Sequence, residues 1–226
     1  MVTPMQEIST ARPSLQTPKL SLAKMAGLLY LVIISTGLWS ELFARGPLVT
    51  ADALETAANI TAQMQVFRVS LMADVIMVLA DIALALVFFA IFRTTAPMLA
   101  TAAMLFRLVQ AVTIAASLVL LATVPWLLEQ GRAADALAMI KAHSLGYDIG
   151  LIYFGVNSMI MAVLLWRSAV PRLLALGIAA AGLVYIFGSA SLLLAPHVNA
   201  AMQPAYLIPV LAETGFCLWL LLRGRI

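Results

Sequence analysis

One cysteine, two histidines, thirteen basic and ten acidic side chains are all that 226 residues offer to reactive chemistry. The lone Cys217 excludes an internal disulfide and a zinc-type cysteine cluster. His143 and His197 both fall toward what is expected to be the outer side, which argues against a histidine-rich catalytic zinc site, and no metal or cofactor is expected. There is no GxSxG, no HExxH and no cysteine-nucleophile motif. The apolar runs show no period-two alternation, so a membrane β-barrel is excluded. Charge is scarce as well, at 10% of residues against about 25% in soluble domains, and a chain this poor in charge is not soluble. The net charge of +3 sits where apolar runs end, so it reports membrane topology, and no nucleic-acid partner is expected.

What is present is apolar: 64% of the chain, in runs of about 18 residues or more separated by short turns. A helix satisfies its own backbone groups in lipid, so these runs predict an all-α, polytopic transmembrane bundle of about six spans lying in a lipid bilayer. Residues 1–20, with Pro4, Pro13 and Pro18, read as a disordered cytoplasmic tail, and residues 21–226 as a single transmembrane helical domain. The expected spans are Leu22–Phe43, Val66–Arg93, Pro97–Val124, Leu145–Trp166, Pro171–Leu194 and Ala201–Leu222. Between the first two, Val49, Ala53, Ala57, Ile60 and Met64 recur at helical spacing opposite Asp52, Glu55, Thr56, Asn59 and Gln63. This predicts an amphipathic outer-surface helix capped by Thr50. A second short surface helix is expected after Gly131, ahead of the fourth span. Arg93, Arg167, Arg172, Arg223 and Arg225 join the tail's basic residues on one side. Arg45, Arg68, Arg132 and Lys141 lie on the other, a bias that puts both termini in the cytoplasm.

The informative residues are those that do not belong in lipid. An ionised carboxylate within a span costs roughly 2.5 to 3.5 kcal/mol on insertion scales. The second span nevertheless carries Asp74 and Asp81, seven residues apart and so on nearly one face. The third holds Arg107 and Gln110 on neighbouring positions, with Arg107 roughly 13 Å above its turn, at the depth of the two aspartates. The sixth places Tyr206 and Glu213 on one face, while Glu41 and Asp148 lie nearer the outside. We expect Asp74, Asp81, Arg107 and Glu213 to converge in the core. Three acids against one arginine call for a proton or a cation among them. Such a pocket, opening outward, would bind or transport a small polar solute or cation. Two other classes stay open: a structural or partner-binding subunit, including a homo-oligomer formed through the small-residue face of the fifth span, and an intramembrane carboxylate-dependent enzyme.

The stretches AGLLYLVIISTGLWSELFARG, FRVSLMADVIMVLADIALAL, FRLVQA, GYDIGLIYFG and ETGFCLWLL together resemble the bacterial membrane family catalogued as domain of unknown function 4386. The resemblance covers nearly the whole chain after the tail. It implies a multi-pass protein of a bacterial inner membrane and no particular activity. It also leads us to expect an acidic residue just after the histidine that precedes the fourth span, a place taken here by Ser144.

Overall fold

The computed structural model describes residues 21–226, so the expected tail of residues 1–20 lies outside the described residues. Helix α1, Leu22–Leu38, is capped by Ser21, whose hydroxyl accepts from the Lys24 amide. It runs on into a widened π-helical segment, Trp39–Arg45, and a tight turn, Gly46–Leu48. There follow α2 (Ala53–Ala62), α3 (Met64–Phe92), α4 (Pro97–Ala122), α5 (Val124–Glu129), α6 (Ala133–Trp166), α7 (Arg172–Leu194), α8 (Pro196–Met202) and α9 (Leu207–Arg223). No strand occurs among the described residues. Six of the helical stretches are long and apolar enough to cross a membrane, as the composition requires.

Several boundaries differ from expectation, for identifiable reasons: the sixth span, expected from Ala201, begins as α9 at Leu207, after α8 and the tight turn Gln203–Tyr206 that contains Pro204. The short helix expected after Gly131 and the fourth span are one helix of 34 residues, α6. Only Gly131, held at φ +71°, interrupts the chain there, and no proline follows it before Trp166. The α2 cap is Asp52, not Thr50: the Asp52 carboxylate accepts from the Glu55 amide at 2.8 Å, whereas the Thr50 hydroxyl accepts from the Asp52 amide.

The spanning helices form a closed ring in which α1 packs on α3, α3 on α4, α4 on α6, α6 on α7, α7 on α9 and α9 back on α1. Close approach at two of these seams depends on glycine. A Cβ on Gly155 of α6 would stand 2.7 Å from the Gly182 carbonyl oxygen of α7, and one on Gly150 would stand 2.9 Å from Ile114 of α4. The ring has a terminal face, where Ser21 donates to the Gly224 carbonyl at 3.1 Å, and a loop face carrying α2, α5 and α8.

Its interior is layered. Tyr30, Phe88, Phe92, Leu165, Phe216 and Leu220 form an apolar cluster in the terminal half. Leu48, Ile60, Phe67, Leu121, Val124 and Ile140 form another in the loop half. Asp81 and Arg107 lie where the two layers meet, between Val78 and Leu84 on α3 and between Ala103 and Ala111 on α4, whereas Arg45 and Asp74 lie within the loop half. Outward, Leu79, Val112, Leu173 and Leu183 are exposed on the belt that meets hydrocarbon in an integral membrane protein.

Candidate functional site

The ionisable residues sort into two clusters with different character. In the first, the widened segment after α1 turns Arg45 inward, where it is buried. Its Nη1 donates to Asp74 of α3 at 2.5 Å and to Ser70 at 3.3 Å, and its Nη2 donates to Glu41 at 2.7 Å. The Ser40 hydroxyl also bonds Asp74. Every polar atom here that is shielded from water has a partner. This cluster therefore fastens the end of α1 to α3 and leaves little for a ligand to take.

The spacing on α3 predicts that Asp74 joins Asp81, Arg107 and Glu213. It does not, because a nearer arginine claims it. Arg45 had counted only as a charge on one side of the membrane; the turn of helix that redirects it has no compositional signature.

The second cluster stands ten residues into α4 from Pro97, about 15 Å at 1.5 Å per residue, or roughly half of the 30 Å that a span must cross. Arg107 of α4 is 2% exposed. Its Nε donates to Asp81 of α3 at 2.7 Å. Nη2 stands 2.5 Å from the same carboxylate oxygen but out of line for a hydrogen bond, and so is left without one. The guanidinium carbon lies 5.4 Å from the Tyr30 ring centroid and 5.0 Å from that of Phe154, so two aromatic faces shield the charge that Asp81 balances. One turn along α4, Gln110 is 6% exposed and its Oε1 has no hydrogen-bond partner. Glu213 of α9 is 8% exposed and accepts from the Tyr185 hydroxyl of α7 at 2.7 Å. Among the described residues no cation stands within ion-pair distance of Glu213.

These groups line a cavity of about 370 Å³, near the lower end of the roughly 300–1,000 Å³ usual for small-molecule pockets. Asp81, Arg107, Gln110 and Glu213 lie at its inner end; Tyr147 and Tyr206 line its walls, and Glu41, whose side chain is 58% exposed, marks its mouth at the loop face. Two helices bound it from opposite sides. At the terminal half α1 and α9 meet closely, Gly27 against Leu220 and Leu221. Farther along, Ile34 and Leu38 of α1 and Val210 and Thr214 of α9 face the cavity instead.

An adjoining space of about 220 Å³ shares Glu41, Tyr147, Gln203 and Tyr206 with the larger one and adds His143 and Asp148. Asp148 accepts from Ser189 of α7 at 2.9 Å. Of the residues that the sequence singled out, Asp81, Arg107, Gln110, Glu213, Tyr206 and Glu41 thus share one cavity, Asp148 lines its neighbour and Asp74 lines neither.

Tyr185 was missed, since a phenol in an otherwise uncharged span reads as packing. Its hydroxyl could have been flagged as a donor in search of a partner.

The cavity offers carboxylates, phenols, an amide and a paired guanidinium, groups able to form hydrogen bonds and exchange protons. The Ser117 hydroxyl and His143 Nδ1 are 3.0 Å apart, the spacing of a nucleophile and its base, but the hydroxyl donates to the Ile114 carbonyl at 2.7 Å and Ser117 lines neither cavity. Among the described residues no group of three or more His, Cys, Asp or Glu side chains is placed to hold a metal ion. Compared with known proteins, the chain matches one family model, described as a domain of unknown function (DUF4386), over residues 25–224. No curated protein and no solved structure matches it.

Proposed function

The chain belongs to the DUF4386 family, whose description carries no activity, and from its own cavity we propose that it is an integral membrane protein that binds a small polar solute or cation, in transport or in sensing, with the loop face outward. The observation that carries this reading is the unfinished state of the inner cavity wall. Gln110 Oε1 lacks a hydrogen-bond partner, and Glu213 lacks a counter-ion among the described residues, both on one cavity that reaches the loop face. A polar network that served only to glue helices would close on itself, as the Arg45 cluster does. Buried polar groups left open toward a cavity cost about 1–3 kcal/mol each, which a ligand recovers on binding.

The test is ligand-induced stabilisation of the purified chain in nanodiscs across a panel of amines, amides, sugars and inorganic cations. A true ligand at 100 times its Kd stabilises by about 2.7 kcal/mol. The shift should vanish in Gln110→Leu, which disturbs no ion pair, and persist in Asp74→Asn, outside the cavity. Equal shifts in both variants, or none in the wild type across the panel, would refute the reading.

A further inference from the structure

Resting on the reading of the cavity as a binding site, we infer that its ligand is an organic ammonium ion: a positively charged nitrogen on a small apolar body. Charge comes first. Asp81 and Arg107 neutralise one another, and Arg45 alone serves both Glu41 and Asp74, which leaves one negative charge in surplus beside the mouth. At the inner end Glu213 is met only by the Tyr185 hydroxyl. Among the described residues an anion would find no free cation on these walls, because Arg107 is held by Asp81 and covered by two rings.

The walls themselves separate an organic cation from a bare metal ion. Tyr147, Tyr185 and Tyr206 line the cavity, Tyr185 and Tyr206 edge to face at 6.2 Å, and phenol faces attract alkylammonium groups within about 6 Å. Between these and α1 the lining is aliphatic, with Ile33, Leu38, Met77 and Val210, surface that a hydrated inorganic ion cannot use and a hydrocarbon body can. A divalent ion would need several oxygen ligands drawn together, and no such group of acidic or histidine side chains forms among the described residues. The unpartnered Oε1 of Gln110, buried at the same wall, is an acceptor placed for an ammonium N–H.

The experiment measures equilibrium binding to the full chain in nanodiscs with four probes: phenethylammonium, butylammonium, neutral 2-phenylethanol and anionic phenylacetate. The ammonium probes should bind saturably and the other two at least ten-fold more weakly. Glu213→Gln keeps the shape and an acceptor for Tyr185, so it should weaken phenethylammonium at least ten-fold and leave 2-phenylethanol unchanged. Should that variant fold poorly by its apo melting curve, Tyr206→Leu replaces it, with a selective loss of the ammonium probes expected. Alcohol or carboxylate binding as tightly as the amine would overturn the ligand class and leave the cavity as a binding site. Binding of none of the four would overturn both, and a variant that loses the alcohol and the amine equally would overturn the role of charge.

Discussion

Whether Arg107 answers to Asp81 or to both aspartates of α3 can be decided by stability alone, without knowing the ligand. The guanidinium and the Asp81 carboxylate are 2% and 5% exposed as side chains, with Nε bonded to one carboxylate oxygen and Nη2 2.5 Å from it. Removing one member strands the other charge away from water, a loss of about 3–5 kcal/mol for buried pairs. Helices within a bilayer also find partners when unfolded, which lowers such values: interhelical hydrogen bonds average only about 0.6 kcal/mol and reach about 1.7. A pair of full charges, shielded on both sides by Tyr30 and Phe154, should exceed that ceiling. We therefore expect Asp81→Asn, Arg107→Gln and their combination to give a coupling of about 2 kcal/mol or more by denaturant unfolding in mixed micelles. The cycle of Asp74→Asn with Arg107→Gln should be additive to within about 0.5 kcal/mol, because Asp74 bonds Arg45. The cycle of Asp74→Asn with Arg45→Gln should couple like the first. Equal coupling of Arg107 to both aspartates, or less than about 0.5 kcal/mol with Asp81, would refute the division into two clusters.

Other outcomes follow from local geometry. Gly155→Ala forces a methyl against the Gly182 carbonyl oxygen and should destabilise the protein by about 1–3 kcal/mol, seen as a lower melting midpoint. Gly177→Ala, whose new methyl would lie 3.2 Å from Ala212, should be milder. Asp52→Ala removes the cap of α2 and should cost about 1 kcal/mol locally, read as faster amide exchange across Ala53–Ala62 with the melting of the ring unchanged. At Gly131, alanine meets no neighbouring atom but must adopt φ near +71°, so Gly131→Ala should cost about 1 kcal/mol through the backbone alone, checked by denaturant midpoint.

The spans could be read from the chain because length and apolarity are local quantities, and lipid penalises every exception to them. The same penalty made Asp81, Arg107 and Glu213 conspicuous, and equal depth along three helices was enough to bring them to one cavity. What escaped depended on the third dimension. Arg45 stands near the end of an apolar run, as headgroup-seeking arginines do, and only the widened turn from Trp39 to Arg45 directs it to Asp74. The first three turns of α6 are too polar to count as a span, yet nothing in them breaks a helix, so a rule based on hydropathy cut the helix where the backbone does not. Thr50 and Asp52 are both good caps; which one serves depends on how the chain leaves the tight turn at Pro47. The partner of Tyr185 lies 28 residues away on another span, beyond the reach of any periodicity.

Helix α3 is gripped at two heights, by Arg45 near the loop face and by Arg107 at mid-depth. A rotation of the helix by a single residue step would tear both grips at once, so α3 and the segments bolted to it act as a fixed jamb. Among the described residues no ion pair joins α9 to any other helix; its far end is held to α1 by uncharged contacts, Gly27 against Leu220 and Leu221, Tyr30 edge to face with Phe216, and the Ser21 hydroxyl on the Gly224 carbonyl. On the proposed reading, a cation seated at Glu213 would give α9 the charged tie that it lacks among the described residues, and would join the sixth span to the wall already braced by α3 and α4.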